Sequence, residues 1–153
     1  MKQKRLLCVT IGLLLACYAA VTAQELGYWR AESSTARSIT GDVGLSETKI
    51  TINFSNFSIV RARDLEPAEV SSVFDVDSNS TDKGHLYKLN IPASKKFMHK
   101  NTLCGAEDTQ WMAAYVEGHS LHLAFFSGQK APVFTMDAIS HSTNLCGTHT
   151  YIR

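Results

Sequence analysis

Hydrophobic and polar positions alternate over short stretches of the chain, and no long segment beyond residue 23 has apolar residues at helical spacing. The clearest alternation covers residues 49–54, where it places Ile50, Ile52 and Phe54 on one face of a predicted strand. Runs of this kind, rich in β-branched and aromatic residues and bounded by turn residues, are typical of antiparallel sheets. We therefore expect these three side chains in the core.

The same pattern predicts about nine short strands and very little helix. The strands are expected at residues 28–32, 37–43, 49–54, 57–63, 85–91, 111–117, 120–126, 133–137 and 146–153. Gly118 suits a tight hairpin, because glycine adopts the positive φ that such turns need. Only residues 66–73 predict a helical turn, with Pro67 at its first position. We predict one all-β domain, an antiparallel barrel or barrel-like sandwich of eight or nine strands.

The first 23 residues have the pattern of a secretory signal peptide: basic residues, then an uncharged apolar run ending in small residues at Ala23. The run, of about 16 residues, is shorter than the roughly 20 that cross a bilayer. Residues 14–17 also match the bacterial lipoprotein pattern, in which Cys17 would be lipidated. We predict an exported protein, periplasmic or secreted, with its barrel at residues 24–153 and a membrane attachment only if Cys17 carries lipid.

Removing this leader changes the charge of the chain. The whole sequence has 15 Lys and Arg against 14 Asp and Glu; three of the bases lie in the leader, so the remaining domain has a net charge of −2. A nucleic-acid partner is not expected for such a domain. Residues 64–82 contain acids and no base, whereas residues 83–106 contain lysines and no acid. We interpret both as solvated or mutually paired, with one alternative: docking of a charged partner through Lys95, Lys96 and Lys100.

Two cysteines remain in the domain, Cys104 and Cys146. In an oxidising compartment they are expected to form one structural disulfide. By the chain-entropy relation, closing a loop of about 43 residues contributes about 4 kcal/mol to stability.

The segment Gly27-Tyr28-Trp29, together with Tyr151 and Arg153 at the end of the last strand, resembles the pattern of lipocalins and the wider calycin group. The resemblance implies a barrel whose closed end is filled by Trp29 with the Arg153 guanidinium on its indole face. It also implies a carrier that binds a small apolar or amphipathic ligand in the barrel mouth.

A second resemblance is to bacterial exported proteins of unknown function that share an Ile-Thr-Gly-Asp segment and two Leu-Cys-Gly segments. Here these are residues 39–42, 103–105 and 145–147. This resemblance implies export and the disulfide, and no activity.

The sequence contains no recognised motif for catalysis or cofactor binding. The six histidines have no metal-ligand spacing in sequence, and the chain has no nucleophile motif or phosphate loop. We therefore predict no catalytic, cofactor or metal residues, and a non-enzymatic exported protein that binds a small apolar or amphipathic ligand. One alternative is a periplasmic inhibitor or immunity protein that blocks a partner enzyme. A second is an envelope-assembly or surface component that binds an envelope protein.

Overall fold

A computed structural model describes residues 24–77, 79 and 83–153 of the chain. In this part, eight strands form a closed barrel in which each strand pairs antiparallel with the next and the last pairs with the first. The strands are β1 (Gly27–Ala31), β2 (Val43–Leu45), β3 (Lys49–Ile52), β4 (Ser55–Leu65), β5 (Gly84–Ile91), β6 (Thr109–Glu117), β7 (Ser120–Ser127) and β8 (Leu145–Ile152). The predicted antiparallel barrel is confirmed. The predicted leader and Cys17 lie outside the described residues.

Three short helices, α1 (Ser34–Ile39), α2 (Pro67–Phe74) and α3 (Met136–Ser140), and a 3-10 turn at Met98–Lys100 join the strands. No helix in the described ranges is both long enough and apolar enough to cross a membrane. Helix α2 confirms the predicted turn: Pro67 begins it, and Glu66 and Glu69 form reciprocal capping bonds. Arg63 donates to both carboxylate oxygens of Glu69 at 2.8 Å, which fixes α2 to the end of β4.

The predicted strand at residues 37–43 is wrong. Ser33 accepts a hydrogen bond from the Ala36 backbone amide, 3.1 Å away, and so begins α1. The helix buries Ala36, and β2 starts only at Val43. A helix cap thus outweighs the β-branched residues that suggested a strand.

The predicted strand at residues 133–137 is also wrong. Thr135 accepts a hydrogen bond from the Ala138 amide at 3.2 Å and begins α3. Phe134, just before this helix, packs edge-to-face on Phe126 with ring centroids 5.7 Å apart. The segment covers the outside of the barrel without joining its sheet, which leaves eight described strands.

The predicted core position of Phe54 is wrong, although Ile50 and Ile52 are fully buried as expected. Strand β3 ends at Ile52, and Asn53 and Phe54 form a tight turn to β4, with φ angles of 45° and 63°. The alternation of apolar residues continues past the strand, so Phe54 stands at the hairpin apex with 98% of its surface exposed. The other predicted hairpin is confirmed, with Gly118 at a φ of 58° between β6 and β7.

Two apolar clusters lie on the two sides of the barrel wall. The inner cluster takes residues from all eight strands. Its largest fully buried side chains are Trp29, Ile50, Ile52, Ile91, Met112, Leu121, Phe125 and Tyr151. The outer cluster joins alternate residues of β6 and β7, with Leu65 of β4 and Leu86 of β5, to α2 and to Phe134. Strand β6 is therefore buried on both faces, which explains its nearly continuous apolar sequence.

The predicted disulfide is confirmed: Cys104 and Cys146 are bonded. The bond joins the loop between β5 and β6 to the start of β8. Both lie at the end of the barrel where β1 finishes, and α1 packs there against β8 and the 3-10 turn. We call this the loop end, and the opposite end, where β1 begins and β8 finishes, the closed end.

Candidate functional site

A groove of about 510 Å³ lies on the outer side of the wall formed by β1, β2 and β3. Tyr28, Gly44 and Thr51 are register partners across these strands, and they form its floor. Tyr28 faces out because its neighbour Trp29 is buried inside the barrel. The volume is in the range of sites that hold small organic molecules.

The carboxylate of Asp42 is fixed within this groove. Its two oxygens accept hydrogen bonds from the Tyr28 hydroxyl at 2.5 Å and from the Ala31 amide at 2.9 Å. These two bonds hold the pKa of Asp42 below its usual range, and the bond to Asp42 raises the pKa of Tyr28. At neutral pH the groove therefore contains an oriented negative charge beside a neutral phenol.

Two loops with strained backbone border the groove at the loop end. Five non-glycine residues with positive φ occur among the described residues, and four of them are Asn53, Phe54, His99 and Lys100. A bulky residue in this region costs on the order of 1 kcal/mol, and such residues concentrate at functional sites. The strain is thus concentrated in the β3–β4 turn and in the loop that presents Met98.

Met98 and Gly41 fix the contact between the second loop and β2. A Cβ on Gly41 would lie 2.7 Å from the Met98 sulfur, and Gly41 has a φ of 62°. The backbone angle thus favours glycine at this position, and a Cβ there would also displace the Met98 side chain. Gly41 and Asp42 belong to the Ile-Thr-Gly-Asp segment noted in the sequence, and this segment forms one side of the groove.

The closed end of the barrel contains the residues of the calycin-like pattern. The Arg153 guanidinium lies 4.2 Å from the centre of the Trp29 ring, in a cation-π contact. It also donates to the backbone carbonyls of Gln24 and Leu26, at 3.2 and 3.1 Å. The expected contact between Trp29 and Arg153 is therefore present. The same guanidinium also binds the segment that precedes β1.

A buried carboxylate, Glu25, completes this end. It accepts a hydrogen bond from the Tyr87 hydroxyl at 2.6 Å and pairs with His85, while its carbonyl accepts from the Trp29 indole at 2.8 Å. Burial raises the pKa of Glu25, but the bonds to His85 and Tyr87 outweigh burial and bring it below the usual value. Burial and the bond to Glu25 raise the pKa of Tyr87. We interpret this network as the closure of the barrel. No pattern in the sequence indicated it.

Two histidines have buried ring nitrogens without a hydrogen-bond partner among the described residues. Both ring nitrogens of His149, inside the barrel, have no partner among the described residues, and neither has Nε2 of His122 on the outer side. Burial lowers the pKa of His149 to about 4 and also lowers that of His122. Both imidazoles are neutral at pH 7.

The three lysines predicted to contact a partner do not form one patch of free charges. Lys95 donates to the Ser55 hydroxyl at 2.7 Å and lies 5.9 Å from the Phe97 ring centre. Lys96 and Lys100 are exposed on the same loop as Met98. Met98 lines the groove, and Lys96 and Lys100 each lie two residues from it along the chain.

The acidic residues of the segment 64–82, the acidic segment, pair mainly with bases that lie outside residues 83–106, the basic segment. Asp64 bonds Arg61 at 2.6 Å, and Glu69 bonds Arg63. The one described ion pair between the acidic and basic segments joins Glu66 to Lys83, 3.9 Å apart. Local folding of β4 and α2 thus accounts for much of the segregated charge.

Sequence reasoning missed the groove residues Tyr28, Asp42, Phe54 and Met98. Asn53 was the available signal for Phe54, since asparagine favours the left-handed turn conformation. Among the described residues, no three His, Cys, Asp or Glu side chains are grouped to hold a metal ion. No family model, curated protein or solved structure matches the chain.

Proposed function

We propose that this protein is an exported, non-enzymatic binding protein that holds a small amphipathic ligand in the groove on the outside of β1–β3. The observation that carries the proposal is the coincidence of a groove of about 510 Å³ with two exposed aromatic rings, Tyr28 and Phe54, and a fixed carboxylate. Exposed aromatic side chains at a concave site are typical of ligand contacts.

The outer groove is favoured over the barrel mouth that the calycin resemblance implies. Bulky side chains such as Trp29, Phe125 and Tyr151 occupy the interior and have no exposed surface. A ligand inside would have to displace this packing, whereas the groove is already open to solvent. Export is supported by the leader pattern and by the disulfide, since disulfides persist in oxidising compartments.

The test is a fragment titration of isotope-labelled protein, followed by NMR. We expect amphipathic alcohols and amines to shift the amides of Gly41, Gly44 and Thr51. Phe54→Ala should weaken binding about tenfold or more, because the ligand loses an aromatic contact worth roughly 1.5 kcal/mol. Val133→Ala is the matched control, since Val133 is 64% exposed outside the groove.

Two results would contradict the proposal. One is binding that shifts interior positions such as Leu121 and Leu123 while the groove amides stay unchanged, which would return the ligand to the barrel interior. The other is equal affinity in Phe54→Ala, Val133→Ala and the unmodified protein.

A second candidate is the inhibitor of a partner enzyme, favoured by the Phe54 hairpin itself. A two-residue turn holds the ring at 98% exposure, as an anchor that inserts into a concave partner pocket would require. The same Phe54→Ala variant separates the two functions: inhibition of a secreted hydrolase that this substitution abolishes, with no small-molecule shifts in the groove, would favour the inhibitor.

A further inference from the structure

We infer that the groove selects organic ammonium ions carried on an apolar body. This inference rests on the proposed function, because it names the class of ligand for the same groove. The chemistry comes from a single anion placed between apolar and aromatic groups.

Asp42 determines the sign of the charge that the groove accepts. It is the one charged side chain among the described residues that line the groove. Each of its oxygens accepts one hydrogen bond from the protein, and a carboxylate oxygen has two lone pairs. Each oxygen can therefore accept a further bond from an ammonium donor, in the stronger charge-assisted form.

The aromatic rings beside Asp42 favour the same kind of ligand. Tyr28 and Phe54, which are 64% and 98% exposed, both line the groove. The face of an aromatic ring attracts a cation within about 6 Å. The Met98 thioether supplies a surface for the apolar part of the ligand.

Arg30 is a basic side chain whose charge acts on this carboxylate. Its charge contributes to the lowered pKa of Asp42, but the two described side chains form no ion pair within 4 Å. Arg30 does not line the groove. The charge of Arg30 thus acts on Asp42 from a distance, and the Asp42 carboxylate can still form an ion pair with a ligand.

The experiment compares phenethylammonium with 2-phenylethanol, which has a neutral hydroxyl in place of the ammonium group. The titrations are followed by NMR at the groove amides. A charge-assisted hydrogen bond is stronger than a hydrogen bond between neutral groups, so the two probes should differ in affinity. We expect phenethylammonium to bind about tenfold more tightly than the alcohol. Asp42→Asn should reduce the difference to less than about twofold.

Asp108→Asn is the matched control. Asp108 is also exposed and also accepts a backbone amide bond, from Ala93 at 2.8 Å, but it lies outside the groove. This variant changes the net charge as Asp42→Asn does, and it should keep the preference for the ammonium.

Salt provides a measurement that needs no variant. Raising NaCl from about 20 mM to about 500 mM shortens the screening length severalfold, so it should weaken binding of the ammonium and leave the alcohol unchanged. If Asp42→Asn disrupts the fold, this salt series on the unmodified protein decides the question.

The outcomes separate the two proposals. Equal affinity for the two probes, or a preference that persists in Asp42→Asn, would overturn the ammonium inference and leave a groove that binds amphipathic molecules. Groove amides that respond to neither probe would contradict both proposals.

Discussion

The wall formed by β5, β6 and β7 and the wall formed by β1, β2 and β3 differ in what covers their outer faces. In the first wall, β6 and most of β7 are buried on both sides, with the barrel interior on one and α2, Phe134 and their neighbours on the other, while Lys88 and Asn90 of β5 are exposed. The second is buried only inside, and its outer face contains the groove and Tyr28. One half of the barrel therefore supplies most of the packing, and the other half exposes polar and aromatic side chains to solvent.

Phe126 tests the packed half and has the largest expected effect. Phe126→Ala should lower the free energy of unfolding by about 3–5 kcal/mol, because it leaves a cavity beneath Phe134. Denaturant unfolding measures it. Val60→Ala, at a 67% exposed position on β4, is the control and should change stability by less than about 0.5 kcal/mol. A loss in Phe126→Ala no larger than that in Val60→Ala would contradict the close packing of the β5–β7 wall.

His149 is the weak point inside the barrel and gives an intermediate effect. Its pKa is lowered to about 4 in the folded protein, so the unfolded chain, with a pKa near 6.5, binds the proton first. The stabilising contribution of neutral His149 is present above about pH 6.5 and is lost as pH falls toward 4, by about 2.5 kcal/mol at pH 4.5.

The variant His149→Leu should flatten this pH dependence and should raise stability at pH 7, because two unpaired ring nitrogens are removed from the core. Thermal or denaturant unfolding at pH 7 and at pH 4.5 measures both effects. His141→Ala, at an exposed position, is the control. An unchanged slope in His149→Leu would assign the acid sensitivity to His122 or to other groups.

Phe54 tests the open half and has the smallest expected effect on stability, with the opposite sign. Phe54→Gly should raise the free energy of unfolding by about 1 kcal/mol, because glycine adopts a φ of 63° without strain. The same variant should lose ligand affinity in the groove. A loss of stability would indicate that the exposed ring contributes to folding, and then the two halves would be less distinct than their burial indicates.

The barrel was predictable because its signals are local. Alternation at Ile50 and Ile52, Pro67 at a helix start and Gly118 in a hairpin each act over a few residues. Helices α1 and α3 were missed because single cap residues, Ser33 and Thr135, decided between helix and strand.

The groove could not be predicted in the same way. Tyr28, Asp42 and Met98 come from separate elements, and only strand register and the packing of a loop on Gly41 bring them together. Phe54 followed the alternation of a strand that had already ended, so its apolar character indicated burial where the turn gives exposure. The sequence pattern shows which residues are apolar. The end of a strand and its register determine whether such a residue faces the barrel interior or the solvent.

The bonds from Arg153 to Gln24 and Leu26 also determine from which end of the barrel the two ends of the domain emerge. They place the chain before β1 and the chain after β8 at the same pole of the barrel, while the Phe54 turn and the Met98 loop lie at the other. A lipid, a surface or a fused domain joined through Gln24 would therefore hold the protein by its closed end. The Phe54 turn and the Met98 loop would then point away from the attachment and be accessible to molecules that diffuse in the surrounding solution.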